Sequence, residues 1–102
     1  MITDFDKKVF SILAEIPRGK ITTYKFIADK LGIPGAARAV GNSLNKNETL
    51  IKIPCHRVIN SNGRVGGYKL GQIKKIKILE QEGIKVKNGS IQDFKKLLYK
   101  FK

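Results

Sequence analysis

The only cysteine and the only histidine of this 102-residue chain, Cys55 and His56, are adjacent and follow Pro54. A neighbouring imidazole can take a thiol proton, directly or through water, and stabilise the nucleophilic thiolate. A carboxylate on the far ring nitrogen would fix the imidazole tautomer and keep the ring basic. The chain has 8 acidic residues, and spacing does not choose among them. Taken alone, such a pair is more often an inert buried cysteine beside a polar histidine.

The residue counts exclude several kinds of site and protein. A single cysteine cannot form an internal disulfide, and it suits a reducing cytoplasm. A single histidine means that a zinc site would need carboxylate ligands, so we predict no metal site. No apolar run approaches the roughly 20 residues of a membrane span. Residues 1–6 lack the basic and apolar regions of a secretory signal.

The charge balance points to a polyanionic partner. Lys and Arg number 21 against 8 acidic residues, so the formal net charge is +13. So basic a small chain repels itself, and binding a polyanion relieves that repulsion. Nucleic acid is the first candidate partner and an anionic membrane surface the second. A solvated, lysine-rich surface is the alternative explanation.

The elements that must position this chemistry begin with three helices. Apolar spacing predicts them over about residues 4–16, 22–31 and 35–45. Thr3 and Asp6 form a capping box at the start of the first helix. The segment Gly32-Ile33-Pro34-Gly35 predicts a tight turn between the second and third helices. Two short helices across such a turn are typical of a helix-turn-helix, although other helical hairpins share the pattern.

The third predicted helix combines one long cation, Arg38, with a run of small residues: Ala36, Ala37, Ala39, Gly41 and Ser43. Small residues permit close packing on a neighbouring helix. They also permit an exposed face to approach a nucleic-acid groove while one side chain projects from it. The residues alone leave both interpretations open.

The second half of the chain alternates turns and helices. Asn60-Ser61-Asn62-Gly63 predicts a hairpin turn between short extended pieces, and the glycines of residues 66–71 predict a loop. A helix is predicted over about residues 72–82, ending at Gly83. Apolar spacing predicts a final amphipathic helix over about residues 91–101. The lysines at position 52 and positions 74–77 are expected to lie on a general basic surface.

The segment Pro54-Cys55-His56-Arg57-Val58 resembles the active-site motif of the O6-alkylguanine-DNA alkyltransferases. Other features resemble that family in the same order, over about residues 5–84: the segment 16–24 ending in Tyr24, the segment 36–41 carrying Arg38, Asn47, the loop 66–69, and Glu80-Gln81-Glu82-Gly83. The resemblance implies a mainly α fold with a small β hairpin, in a winged helix-turn-helix-like DNA-binding domain. We expect residues 1–102 to form a single domain, without the ribonuclease-H-like domain that precedes it in many members.

The resemblance implies a role for each matching residue. Cys55 would accept the alkyl group, His56 would deprotonate it through a water, and Glu82 would orient His56. Tyr24 would press on a phosphate and donate to guanine N3. Arg38 would fill the stack vacated by a flipped base. The remaining implied positions are a groove-facing surface of Ala36, Ala37 and Gly41, a brace at Asn47, and a base pocket of Val58, Tyr68 and Lys69.

The resemblance further implies direct repair of double-stranded DNA that contains O6-alkylguanine, and it leaves activity on O4-alkylthymine open. Each molecule would react once, as a monomer in the cytoplasm, without a cofactor or a membrane. Related alkyltransferase-like proteins replace the cysteine, commonly with tryptophan, whereas this chain has Cys55. A lesion-binding module without transfer activity and a cysteine hydrolase are the alternatives. Lys69 departs from the serine or arginine common at its position.

Overall fold

The computed structural model describes residues 1–48 and 52–101. Two short strand pairs and five helices occur in the order α1 (Asp4–Leu13), β1 (Thr22–Thr23), α2 (Tyr24–Lys30), α3 (Ala37–Leu44), β2 (Val58–Ile59), α4 (Gln72–Gln81), β3 (Val86–Lys87), β4 (Ser90–Ile91) and α5 (Phe94–Leu97). A single 3₁₀ turn, Cys55–Arg57, precedes β2. The predicted mainly α fold with a small β hairpin is confirmed.

Helix α1 begins at the predicted capping box. The Thr3 side chain accepts from the Asp6 amide, and the Asp6 carboxylate accepts from the Thr3 amide. The helix ends at Leu13 rather than near residue 16, because Glu15 and Ile16 form 3₁₀-type bonds instead. Pro17 follows, and a residue before proline disfavours helical backbone angles.

The predicted pair of helices across a glycine turn is present as α2 and α3. Thr23 caps α2 by accepting from the Phe26 amide at 3.0 Å. Gly32 and Gly35 both have positive φ, which lets the chain reverse within the turn. Helix α3 buries Val40, Ser43 and Leu44 and leaves Arg38 on its exposed face.

Buried Asp6 joins α1 to α3. Its carboxylate accepts from Ser43 Oγ at 2.5 Å and from Lys46 Nζ at 2.9 Å, besides capping its own helix. These hydrogen bonds hold the pKa of Asp6 well below its ordinary value, and the bond from Ser43 has the largest effect. The orientation of α3 therefore depends on a charged group of α1 as well as on apolar packing.

The strands pair differently from the prediction. The turn at residues 60–63 forms, with the Asn60 amide donating to Arg64 O at 3.0 Å. However, the residues before it pair in parallel with β1, where Thr22 faces Val58, and Arg64 pairs with Ser90. The antiparallel hairpin is formed by β3 and β4, whereas the sequence placed it around the turn at residues 60–63.

The predicted helix over residues 91–101 is wrong. Ile91 belongs to β4, and only residues 94–97 are helical. From the last helical residue onward the backbone pairs with Ile21, whose amide donates to Leu97 O at 3.0 Å and whose carbonyl accepts from the Tyr99 amide at 2.8 Å. The apolar residues face the core as their spacing suggested, but pairing with a distant segment replaces the helical hydrogen bonds.

Two apolar cores meet at the segment that carries Cys55. The first packs α1, α2 and α3 around Val9, Leu13 and Val40, and it includes Cys55 and Val58. The second packs α4 and the C-terminal hairpin around Ile59 and other buried residues, namely Ile21, Val65, Leu79, Ile84 and Ile91. Within the described ranges, no helix has the length and apolar character needed to cross a membrane.

Candidate active site

Cys55 lies at the edge of a cavity of about 630 Å³. The start of α2, one face of α3, the Cys55–Arg57 turn and the loop before α4 surround this cavity. The lining residues are Tyr24, Ala37, Arg38, Gly41, Asn42, Leu44, Asn45, Cys55, Gly67, Tyr68 and Lys69. Seven of the predicted site residues are therefore brought together from four separate segments.

The Cys55 side chain is a protonated thiol in the resting protein. Only 4% of the residue is exposed. Burial raises the pKa of the thiol. A hydrogen bond from Asn47 and the positive charges of Lys75 and Lys69 act to lower this pKa, but burial has the larger effect. A buried thiol of this kind needs a base before it can act as a nucleophile.

Glu82, directly after α4, accepts hydrogen bonds from two residues of the Cys55–Arg57 turn. His56 Nε2 lies 2.9 Å from Glu82 Oε2. Arg57 binds the same carboxylate through Nε at 2.9 Å and Nη2 at 2.7 Å, and its Nη1 donates to Ile16 O. The structure thus places the implied acid beside His56. Arg57 was not predicted as a site residue, although it lies within the segment 54–58 that carries the resemblance.

The imidazole of His56 is fully buried and neutral. Burial lowers the pKa of His56, against the opposing effect of Glu82. Burial acts to raise the pKa of Glu82, but hydrogen bonds from Arg57 and His56 outweigh it, so the carboxylate stays ionised. A carboxylate only accepts hydrogen bonds, so Nε2 carries the ring hydrogen and Nδ1 the free lone pair. Nδ1 is buried and has no hydrogen-bond partner among the described residues.

Lys75 corrects the prediction that positions 74–77 form a general basic surface. Its side chain is fully buried, and Nζ donates to Val58 O at 2.6 Å and to Gly67 O at 2.9 Å. Burial lowers the pKa of Lys75 to about 8, although the nearby Cys55 acts to raise it. This ammonium joins the strand after the cysteine to the loop that forms the opposite wall. The hydrophobic periodicity did not predict that Lys75 is buried, because it does not distinguish this residue from the other three lysines of the segment 69–77.

The two tyrosines of the cavity are held against its walls. Tyr24 is the first residue of α2, and a Cβ added at Gly41 would lie 3.8 Å from its ring. Tyr68 meets His56 edge to face, with ring centroids 6.5 Å apart. Burial raises the pKa of both phenols, so each hydroxyl keeps its hydrogen at neutral pH.

The remaining predicted residues lie behind the cavity wall or beside it. Asn47 is buried, and its Nδ2 donates to Ile53 O at 2.8 Å, which fixes the backbone before Cys55. Val58 is buried, and its carbonyl accepts from Lys75. Ala36 caps α3 and packs partly against the first core rather than lining the cavity. Nowhere in residues 1–48 or 52–101 do three His, Cys, Asp or Glu side chains group closely enough to hold a metal ion.

The family model described as the DNA-binding domain of 6-O-methylguanine DNA methyltransferase matches residues 4–84. The chain belongs to this family. The match includes every predicted site residue and ends before β3. The predicted winged helix-turn-helix-like DNA-binding domain is thereby confirmed.

Two methyltransferases that are similar to this chain are longer than it is. A methylated-DNA--protein-cysteine methyltransferase of Candida glabrata is 45% identical over 86 residues, which are 84% of this chain and 42% of the relative. One of Saccharolobus solfataricus is 51% identical over 82 residues, which are 80% of this chain and 52% of the relative. The chain therefore spans about half the length of such relatives.

Solved structures of the family are similar in backbone as well as in sequence. Mycobacterium tuberculosis OGT in complex with DNA superposes with a TM-score of 0.77 at 46% identity, covering 79% of this chain and 49% of that one. S. pombe Atl1, in complex with damaged DNA containing O6-carboxymethylguanine, superposes with a TM-score of 0.84 at 32% identity. That similarity covers 98% of this chain and 99% of Atl1.

Proposed function

We propose that this chain repairs DNA directly, by moving the alkyl group of O6-alkylguanine irreversibly to Cys55. The observation that carries the proposal is a lone buried thiol at a cavity, next to a neutral histidine that an ionised glutamate orients. The names of the relatives, methylated-DNA--protein-cysteine methyltransferases, support the same reaction.

In the proposed reaction His56 Nδ1 takes the thiol proton through a water molecule. The Cys55 sulfur then forms a bond to the alkyl carbon, and the carbon–O6 bond breaks with its electron pair left on guanine. The Tyr24 hydroxyl donates to N3 of the leaving base, and the Lys69 amide donates to O6. The main-chain carbonyls of Cys55 and Val58 accept from the exocyclic amine. The thioether is stable, so each molecule reacts once and needs no cofactor.

The target base must leave the duplex before the thiol can reach it. Flipping a nucleotide costs a few kcal/mol of pairing and stacking. Arg38, exposed on α3 at the cavity, is proposed to occupy the vacated position. The small residues Ala36, Ala37 and Gly41 would let α3 approach a minor groove that is only about 6 Å wide. The net charge of +13 supports salt-sensitive binding to double-stranded DNA by a monomer.

Intact-protein mass spectrometry tests the proposal. With an excess of duplex containing O6-methylguanine, we expect each chain to gain one methyl group, on Cys55, and then to stop reacting. The Cys55→Ala variant is the matched control and should gain none. Multiple turnover, or methylation of Cys55→Ala at the same rate, would refute the proposal.

A second candidate function is recognition of the lesion without transfer. The similarity to Atl1 over nearly the whole of both chains favours it. Cys55 argues against it, because binding a lesion without transfer requires no thiol at the cavity. The same experiment distinguishes the two, since a binding module would hold the alkylated duplex while its mass stays unchanged.

A further inference from the structure

Residues 85–101, here called the C-terminal segment, lie beyond the part of the chain that the family model matches. The segment consists of the β3–β4 hairpin, α5 and the residues that follow α5. It is attached first to the turn just beyond β2, where the Ile91 amide donates to Gly63 O at 2.8 Å and the Val65 amide donates to Gly89 O at 2.9 Å. The C-terminal segment therefore supports the strand that directly follows the Cys55–Arg57 turn.

The same segment is attached a second time at Ile21, the residue directly before β1. The Ile21 amide donates to Leu97 O at 3.0 Å, and Ile21 O accepts from the Tyr99 amide at 2.8 Å. The Ile21 side chain is fully buried in the second core. Since β1 is followed directly by Tyr24, this pairing lies three residues before a side chain that lines the cavity.

The pairing at Ile21 matters because β1 and β2 are very short. Only two residue pairs join these parallel strands, Thr22 with Val58 and Thr23 with Ile59. Two short strands are marginally stable by themselves, and a third strand with an apolar face is usually needed to hold them. Leu98, which pairs in parallel with Ile21, extends the ladder in this way.

The two strands carry the two groups that must meet the same base. Cys55 lies just before β2 and Tyr24 just after β1, and both line one cavity. Burial raises the pKa of Tyr24, and charge on Cys55 adds to that effect, as expected of groups that lie close together. One continuous stretch of chain is thus bonded to the flanks of both groups.

We propose that the C-terminal segment is a positioning element for alkyl transfer, which holds Ile21 so that the Tyr24 hydroxyl is correctly placed relative to the Cys55 sulfur. The proposal rests on the proposed function, in which Tyr24 donates to guanine N3, and deepens it by naming residues that act through Tyr24. The segment itself touches no reacting atom. Its effect is large only because a misplacement of about 1 Å can reduce a rate by roughly a hundredfold.

Tyr99→Pro tests the pairing, because proline lacks the amide hydrogen that Ile21 O accepts. The preceding residue, Leu98, has φ −62° and ψ 126°, an extended conformation of the kind favoured before proline. Tyr99→Ala is the matched control. It keeps the amide and removes only the side chain, whose ring meets Phe101 edge to face.

Both variants are also combined with Tyr24→Phe, which removes the hydroxyl and keeps the ring. Saturating single-turnover rates are measured by intact mass with free O6-benzylguanine, which requires no base flipping. Melting temperatures ensure that every variant is folded at the assay temperature. A general loosening of the fold would reduce the rate by the same factor with and without the Tyr24 hydroxyl, whereas an effect through that hydroxyl would not be additive.

We expect Tyr99→Pro to be roughly tenfold slower than Tyr99→Ala when Tyr24 is present, and less than about twofold slower when both also carry Tyr24→Phe. Equal losses with and without the Tyr24 hydroxyl, or no loss at all, would overturn the proposal. If Tyr99→Pro does not fold, a chain that ends at Leu98 lacks the same amide. It then takes the place of Tyr99→Pro and is compared with the unaltered chain.

Failure of the proposed function would be recognised separately, by the absence of any mass gain in the unaltered chain. The affinity for O6-benzylguanine is then measured for the same variants, because a hydrogen bond from Tyr24 to N3 strengthens binding without transfer. Weaker binding by Tyr99→Pro that disappears when Tyr24→Phe is also present would support the proposal. Equal losses of affinity, or none, would overturn it.

Discussion

Replacing Glu82 by glutamine tests the proposed activation of the thiol. The carboxylate accepts from His56 Nε2 and from two nitrogens of Arg57. Glutamine offers one acceptor oxygen, which the Arg57 guanidinium would take, and turns an NH₂ group toward His56. Nε2 must then accept a hydrogen bond, so the ring hydrogen moves to Nδ1. Nδ1 is the nitrogen that must be free to take the proton of Cys55.

The size of the effect follows from the state of the thiol. General-base assistance contributes about 10²- to 10⁴-fold in rate, and we expect a loss of that order at neutral pH. Burial raises the pKa of Cys55, so the thiolate fraction available without a base is small at neutral pH. As long as the pH is below the thiol pKa, this thiolate fraction increases about tenfold for each unit by which the pH rises. The deficit of Glu82→Gln should therefore shrink by about the same factor per unit as the solution becomes alkaline.

The unaltered chain should respond to pH in a different way. Burial lowers the pKa of His56, so the neutral base persists to a pH below the ordinary histidine value of about 6.5. Its transfer rate should be nearly constant from neutral to mildly acidic pH and fall only below that range.

The assay is single-turnover transfer from an O6-methylguanine duplex across a pH series. Glu80→Gln, which removes an exposed acid from the same end of α4, is the matched control and should behave as the unaltered chain. Melting temperatures ensure that all variants are folded at the assay temperature, because Arg57 loses its counter-ion in Glu82→Gln. An unchanged neutral-pH rate, or a deficit equal at every pH, would contradict the base mechanism.

Two further substitutions test the proposed role of α3 in DNA binding and the contact that supports this helix. Arg38→Ala should slow repair of a paired lesion far more than reaction with free O6-benzylguanine, because the free base avoids a flipping cost of a few kcal/mol. An equal fractional loss on both substrates would give Arg38 a role in the fold instead. Asp6→Asn should lower the melting temperature by several degrees at neutral pH. The folded-state pKa of Asp6 is depressed, so its contribution exists above the unfolded value of about 3.9 and disappears as pH falls below it. A melting difference that stays constant from neutral pH to pH 2 would contradict this assignment.

Local signals in the sequence determined most of the helical half of the fold. The Thr3–Asp6 capping box, the turn between α2 and α3, and the end of α4 before Gly83 were all predicted and are present. Each depends on hydrogen bonds or backbone angles within a few neighbouring residues, so the residue types there are sufficient to specify it. The adjacency of Cys55 and His56 likewise needed no tertiary information.

Residue spacing could not show which distant groups complete the site, although the family resemblance implied Glu82. Spacing left eight acids open as the partner of His56. The fold brings Glu82, 26 residues away, to 2.9 Å and adds Arg57 on the same carboxylate. The sequence does not distinguish Lys75 from the neighbouring surface lysines. Only the fold brings its ammonium to two carbonyl oxygens from separate segments.

The C-terminal segment shows the same division between local pattern and distant partner. Its apolar spacing fits a helix. Local helix propensity does not take into account a distant segment that competes for the same backbone hydrogen bonds. Ile21, more than 70 residues earlier, supplies backbone hydrogen bonds to Leu97 and Tyr99, and helical pairing ends there. The sequence thus determined which apolar side chains of this segment face the core. The choice of hydrogen-bond partners depended on folding, because those contacts exist only when remote segments pack together.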